Sequence, residues 1–596
     1  MKFTYLFLNI VLNTVLSAIL MGQASFVSAA EAETVPPSLE ASQRHWSFVD
    51  AGLIPVQSGG RIKPLDSLAR ETVLYVTGSR TYQGWNPVDL FISWISYPEY
   101  WSKQPVIRIS NKQLLRQLLL DESQSRFAVS DLLKNSVFAQ YAQDIISHES
   151  GASVKPSQVV QSVSSQPNPR EQELKAVIDR IQVFRSVAMG TALTIVPVKG
   201  TETWQSVADG DPTQHPTRRA FLDLLRAYFH NNSAEFVSSA KMVRSRVEAD
   251  AEGWAPWQTR ALKIESIYNR ARPFAWAYWY YFLSGFLFAF AQVASTSRAR
   301  VLKRIGWITL YGAFGLHVLG FAARCYIAGR PPVSNMYESV VWVSFGTMVF
   351  AQVIYFLYKN SVVLASGCFF SALALLAADM APAVMDPGIH TLVPVLRSNL
   401  WLTIHVMTIT LGYAAFALSL SIANVTLFQY LRGALGSLDS GTVNTRTHHL
   451  NQLTYRAMQF GVVLLAAGTI LGGVWADYSW GRFWGWDPKE TWALIALLCY
   501  LAVLHGRFAG WVSQFGYAVW SVICFLSVLM AWYGVNFVLG VGLHSYGFSS
   551  GGTATMLFFS GLQFAYVGVI ALLHKKQELK RRPGPSTGTK PFIKPV

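Results

Sequence analysis

Between Phe274 and Leu573 the chain carries nine apolar runs, most of them close to the ~20 residues that a membrane-crossing helix needs. No other feature restricts the fold as severely. Backbone N–H and C=O groups in hydrocarbon must be satisfied within the segment itself, and runs of this length do so as helices. The runs are Phe274–Ala294, Ile305–Ala323, Tyr337–Leu357, Val362–Met380, Leu400–Leu431, Phe460–Val474, Trp492–His505, Phe515–Leu539 and Ala554–Leu573. The seventh is short unless the residues around Arg507 are drawn in. Charged residues make up 14% of the chain against a usual share of about 25%, as expected where long stretches meet lipid.

Cation placement sets the expected sidedness. Arg298, Arg300, Lys303 and Arg304 fill the first loop, and Lys359, Arg432, Arg446, Arg456 and Arg507 fill alternate loops after it. Lys575, Lys576, Lys580, Arg581 and Arg582 follow the last run. The other loops are poorer in cations, holding Arg324, Arg330, Arg397, Arg482 and Lys489. The net charge of +16 is thus explained by positive-inside topology, and no nucleic-acid partner is expected.

Ahead of the membrane region, Met1-Lys2, an apolar run to about Gly22 and the small residues to Ala30 read as a signal peptide or an uncleaved signal anchor. Both readings place the next residues outside the cytoplasm. From Glu31 to Arg272 charges are frequent, and helical periodicity runs through Asn111–Asp121, Glu171–Val187 and Arg218–His230. Pro156–Pro169 reads as an internal linker. The four cysteines have no CxxC spacing and lie in or beside apolar runs, as small buried hydrophobes do.

The expected fold class is an all-α polytopic membrane protein of about nine transmembrane helices with an N-terminal, mainly helical extracytoplasmic soluble domain. The divisions are a signal segment over 1–30, the soluble domain over 31–272, the membrane domain over 273–574 and a basic disordered cytoplasmic tail over 575–596. The C-terminus is then cytoplasmic, and the loop between the sixth and seventh runs faces outward.

That loop is Trp480-Gly-Arg-Phe-Trp484-Gly-Trp486-Asp487-Pro-Lys-Glu490. Its glycines and Asp-Pro make a poor helix. It is suited to present flat aromatic faces, indole N–H groups and one carboxylate to a flat ligand. Interfacial tryptophans also form plain aromatic belts. The carboxylate of Asp487 either orients the loop or belongs to a simple Asp-Pro turn.

Ionisable residues inside spans mark functional sites by default. His405 lies a few residues into the fifth run and His544 at the outer end of the eighth, both at about the depth of the Trp-rich loop. Two imidazoles flanking an aromatic shelf suit axial ligation of heme iron. Either histidine alone would read as an interhelical hydrogen-bonding group. His505 sits roughly 20 Å toward the cytoplasm from the outer end of its span, where it could be an inner heme ligand. His317, roughly 10 Å below the outer surface, does not match that depth and is a weaker candidate. His448 and His449 read as solvated residues of a cytoplasmic loop, and His390 as an outer-loop residue.

The Trp-rich stretch resembles the "WWD" signature of the heme-handling proteins of cytochrome c maturation, in particular the CcsA (ResC) type. The resemblance covers about His317 to Leu573, including Ala328-Gly-Arg-Pro-Pro-Val-Ser-Asn-Met-Tyr-Glu-Ser339. It implies that Trp480, Trp484, Trp486 and Asp487 bind heme b, that His405 and His544 ligate its iron at the outer site, and that His505 is the membrane histidine. The implied function is delivery of heme across a bacterial inner membrane and presentation of reduced heme to the CxxCH motif of apocytochrome c. The implied status is that of a subunit of a holocytochrome c synthase (heme lyase). In fused members a CcsB (ResB) half supplies further spans, so a separate CcsB-like membrane partner is expected here. The Gly59-Gly-Arg-Ile-Lys-Pro-Leu65 segment also resembles an extension found in the family.

Two readings compete. A non-heme transporter would show internal repeats and polar residues buried near mid-membrane; the chain has no clear repeat, and its acidic residues lie mostly at loop edges. A structural assembly factor would use its Trp loop only as an interfacial anchor.

Overall fold

The computed structural model describes residues 46–140, 169–211, 215–382, 384–392, 398–539 and 553–581. The signal-like segment, most of the Pro156–Pro169 stretch, His544 and the chain after Arg581 lie outside the described residues.

After a helical turn at Val49–Gly52, the N-terminal domain forms a hairpin, β1 (Pro55–Ser58) and β2 (Arg61–Pro64), paired antiparallel from Pro55↔Pro64 to Ser58↔Arg61. Gly59 and Gly60 both have positive φ, which the tight turn needs and glycine supplies without strain. Helix α1 (Leu65–Thr77) follows directly and ends on Gly78 in the left-handed conformation. Helices at Pro169–Ala188 and Pro216–Phe229 fall where the periodicity placed them, the Asn111–Asp121 stretch forms only the short helix Lys112–Gln117, and Ser233–Asp250 is a further helix that the periodicity did not mark. Val73, Val76, Phe91, Trp94, Phe184, Leu224 and Phe236 converge in a core separate from that of the membrane region. Two further two-stranded ladders complete a mainly helical domain.

Helix α2 (Pro256–Ala271) leads to Arg272, whose φ of 45° turns the chain into α3 (Pro273–Phe290). Then come α4 (Thr296–Ala328), α5 (Met336–Tyr358), α6 (Ser361–Met380), α7 (Asn399–Ala434), α8 (Ser440–Trp480), α9 (Pro488–Phe508), α10 (Gln514–Leu539) and α11 (Thr553–Arg581). Among the described residues, eight helices are long and apolar enough to cross a membrane. They correspond to eight of the nine expected runs. The first run forms α3, an eighteen-residue helix whose five tryptophans and tyrosines temper its apolar character. It packs inside the bundle all the same, with Tyr281 and Phe288 fully buried. The chain is an all-α polytopic membrane protein.

Several helices run well past their apolar cores. α8 begins at Ser440, capped by Asp439, which accepts from the Thr442 backbone. His448 and His449 therefore lie on its exposed first turns and not in a loop, since neither glycine nor proline occurs between Thr442 and Phe460 to stop a helix. α9 does take in Arg507, which extends the short seventh run. α11 continues through Lys575 and Lys576 to Arg581, so the first part of the expected tail is helical, and cations in a last turn suit the helix dipole. Arg324 is another departure. It sits within α4, buried, with its guanidinium 2.7 Å from Glu338 of α5.

Two aliphatic-aromatic cores hold the bundle, one around α3–α6 and one around α7–α10. α7 and α8 pack closely because Gly412 sets its backbone against α8; a Cβ there would lie 2.9 Å from the Leu465 nitrogen. Phe416 of α7 stacks on Tyr500 of α9 with ring centroids 3.7 Å apart.

Candidate functional site

At one end of the bundle the regular helices give way. α7 starts with a π-helical turn, Leu402–Val406, and α10 ends in a π-helical stretch, Met530–Leu539. Such interruptions of helical geometry are frequent at functional sites because they re-aim side chains. His405 lies inside the first. Its Nδ1 is 2.8 Å from the carbonyl oxygen of Gly468 on α8. A carbonyl only accepts, so Nδ1 carries the proton, and the lone pair of the neutral ring falls on Nε2. That arrangement of a backbone acceptor behind an imidazole is how metal-binding histidines are commonly oriented.

The imidazole is seated on α8 by glycine. A Cβ on Gly472 would come within 2.6 Å of His405 Cε1, and one on Gly473 within 2.6 Å of Phe483 in the Trp-rich loop. The histidine and the loop thus meet α8 at adjacent positions. Trp475, one turn below the loop, meets the His405 ring edge to face at 5.7 Å and stacks on Trp401 at 6.3 Å. Trp401 and Trp475 were missed by the sequence reading, although Trp401 and His405 are four apart, on one face of a helix.

The loop itself runs from the end of α8 at Trp480 to the start of α9 at Pro488, non-helical as expected. Gly481 closes α8 in the left-handed conformation. Asp487 caps α9, its Oδ1 accepting from the Lys489 backbone at 3.0 Å. Glu490 Oε2 reaches back to accept from the Asp487 and Gly485 backbones, completing a capping box. Trp484 and Trp486 meet edge to face, 5.9 Å apart. Trp486 is also in the left-handed region, φ 56°, which costs a bulky residue roughly 1–2 kcal/mol. Lys489 Nζ lies 3.4 Å from Asn536 Oδ1, joining the loop to the π-helical end of α10.

The remaining candidates part company. His505 is exposed on the side of α9, its Nδ1 2.8 Å from the Leu501 carbonyl one turn earlier. Phe508 and Trp511 are exposed nearby in sequence. His317 is fully buried between α3, α4 and α5. Its Nε2 is 3.1 Å from the Val341 carbonyl and its Nδ1 3.2 Å from the Tyr281 hydroxyl. Both nitrogens are used within the core, with Phe274, Phe321 and Phe345 packed around the ring. The iron-ligand role considered for His317 does not fit this arrangement. It is an interhelical hydrogen-bonding group.

At the same end, the loop after α6 is held by side chains from three directions. Carbonyl oxygens from Asp386 to His390 accept in turn from Asn335, Arg324, Arg61 and Arg330. Within the loop, His390 Nε2 is 2.8 Å from Asp386 Oδ2. That hydrogen bond raises the His390 pKa against the opposing effect of desolvation. Burial pushes the Asp386 carboxyl up, but the His390 hydrogen bond and charge outweigh it and hold the group below its usual range.

A family model described as cytochrome C assembly protein matches residues 333–544. Protein NrfI of Wolinella succinogenes is 28% identical over 508 residues, covering 82% of this chain and 53% of NrfI. The chain therefore spans about half the length of that relative. Cytochrome c biogenesis protein CcsA of Prochlorococcus marinus (strain SARG) is 32% identical over 287 residues, 44% of this chain and 88% of the relative. CcsA of strain MIT 9515 is 35% identical over 251 residues, 38% and 79%. The matched region contains the π-helical histidine, the Trp-rich loop and His505. With most of the CcsA length reproduced at this identity, the chain belongs to the cytochrome c assembly protein family.

Proposed function

We propose that this membrane protein serves cytochrome c biogenesis by carrying heme b to the Trp-rich loop and presenting it, reduced, to the CxxCH motif of apocytochrome c. The observation that carries the reading is His405: an imidazole oriented by the Gly468 carbonyl, in a π-helical turn, beside an aromatic loop. The donor set fits heme, since imidazole ligates iron well and indole faces suit a porphyrin.

His405 and His544 are the proposed axial ligands of the outer site, with Trp480, Trp484, Trp486 and Asp487 forming its aromatic edge. His505, exposed on α9, is the proposed ligand of an inner site completed by a CcsB (ResB)-like membrane partner. Attachment adds each cysteine S–H across a heme vinyl group: sulfur bonds one carbon and hydrogen the other, with no net redox change. The chain's task is then positioning and ligation. The proposed setting is the bacterial inner membrane, with the N-terminal domain and Trp loop periplasmic and the C-terminus cytoplasmic.

The test is an optical spectrum of detergent-purified protein, co-expressed with its partner, before and after dithionite. A sharp Soret band with split α and β bands, lost or turned high-spin in His405→Ala and His544→Ala, supports the reading. Heme-free wild-type protein under these conditions would sink it and leave the loop as an interfacial anchor.

A further inference from the structure

The left-handed backbone at Trp486 is pinned from both sides by one atom. Glu490 Oε2 accepts from the N–H of Gly485 at 2.8 Å and from the N–H of Asp487 at 3.3 Å. These two N–H groups lie on either side of the Gly485–Trp486 peptide, one before Trp486 and one after it. Bulky residues rarely adopt positive φ, and they persist there only where their surroundings over-determine the conformation. Burial does not compensate the strain, because Trp486 is 71% exposed. Strain kept for an exposed aromatic ring points to a role for the ring's direction.

The direction is specific. Trp484 and Trp486 stand at 89° to each other, so their indoles form two perpendicular walls. A flat ligand stacking on one wall meets the edge of the other. Relaxing Trp486 to negative φ would redirect its Cα–Cβ bond and open that corner. Glu490 belongs to the first turn of α9, where a carboxylate is favoured by the helix dipole, and α9 is tied to α10 through Lys489 and Asn536. The restraint on Trp486 is therefore anchored to the bundle and not to the loop alone.

We infer that Glu490 is a positioning residue that holds Trp486 in the one backbone conformation in which its indole faces a porphyrin. The ligand's identity rests on the heme reading above; the geometric claim does not.

The experiment uses the full chain in detergent, first without heme and then titrated with heme b, as wild type, Glu490→Ala, Glu490→Gln and Glu490→Asp. Glutamine keeps an acceptor oxygen in place and can complete a capping box. Aspartate keeps the charge at the helix start but falls a methylene short of the two amides. Hydrogen exchange at Gly485 and Asp487 should stay slow in wild type and the glutamine variant, and become fast with alanine and aspartate. The near-ultraviolet circular dichroism of the Trp pair should be lost in the same two variants. Heme affinity should fall roughly tenfold in them, the size of one lost cap, and stay near wild type with glutamine. Unchanged exchange and dichroism in the alanine and aspartate variants overturn the inference. So does a loosened turn with unchanged heme affinity. If wild type takes no heme, the functional reading fails, while the ligand-free comparison still decides whether Glu490 directs the indole. Should the alanine variant not fold, the glutamine–aspartate pair makes the same comparison.

Discussion

Arg61 of the N-terminal hairpin and Glu265 of α2 form a two-point ion pair, Nη1 to Oε2 at 2.8 Å and Nη2 to Oε1 at 2.7 Å. The same guanidinium donates from Nε to the Ile389 carbonyl at 2.6 Å, in the loop after α6. Ser67 also donates to Glu265, and Asn269 to Asp66 and Ser67. Thr391 donates to the Gly59 carbonyl. The N-terminal domain is thus docked on the bundle by a partly buried polar clamp.

Arg61→Ala should loosen that docking. Removing one member of a largely buried pair leaves Glu265 without its cation, a loss of about 3 kcal/mol or more. Lower thermal stability in detergent, with faster hydrogen exchange across the hairpin and Ile389, would register it. Glu265→Gln, which keeps an acceptor for Ser67 and Arg61, should cost less. Equal stability of Arg61→Ala and wild type would show that the clamp contributes nothing.

Gly472→Ala should displace the His405 ring, because the new Cβ would sit 2.6 Å from Cε1. Overpacking of this kind costs typically 1–3 kcal/mol. On the proposed reading of His405 as an iron ligand, the spectral consequence is a shift of heme from low toward high spin. Gly315→Ala, where no atom lies within 4 Å of the added Cβ, is the matched control and should leave the spectrum as it was. Identical spectra for Gly472→Ala and wild type would remove Gly472 as the seat of the histidine.

The Asp386–His390 pair should make its loop sensitive to pH. The raised His390 pKa means that its contribution to loop stability is complete below about 6.5 and lost as pH rises through the higher folded value. The lowered Asp386 pKa means that its contribution is complete above about 3.9 and lost as pH falls through the lower folded value. Protection of the Gly388 amide, which donates to Asp386 Oδ1, should therefore decline as pH rises above about 6.5 and through the raised folded value of His390. Glu71 and Lys63 also act on His390, in opposite directions. In His390→Gln the alkaline decline should vanish; its persistence would assign the effect elsewhere.

Asp487→Asn should leave the start of α9 nearly intact, since asparagine caps as well as aspartate. Asp487→Ala should cost about 1 kcal/mol through the lost cap to the Lys489 amide. If heme retention follows the same order, the carboxylate serves the turn. If asparagine releases heme as fully as alanine does, although it keeps the cap, the charge itself is used.

Much of this was legible in the chain, and the reason is local. Apolar runs of about 20 residues dictate spanning helices whatever surrounds them. The glycines and Asp-Pro of the 480–490 stretch break the helix between two such runs wherever they are placed. The identity of His405 as a site candidate followed from the cost of an imidazole in a span. Helix ends were less legible: the polar start of α8, with its exposed histidines, looks like a loop until Asp439 is seen to cap it.

What only the tertiary structure decided concerns partners. His317 and His405 look alike in sequence, both imidazoles among apolar residues. One has Val341 and Tyr281 at its two nitrogens, whereas the other is aimed by Gly468 across a helix pair that glycines let approach. The Arg61–Glu265 clamp joins residues 204 apart, and no spacing rule reaches that far. The positive φ of Trp486 likewise depends on Glu490 folding back over the start of α9. Hydrophobic length and helix breakers act through neighbours in the chain and are written in it. Hydrogen bonds are directional and short, so their meaning waits on which groups the packed helices bring within 3 Å.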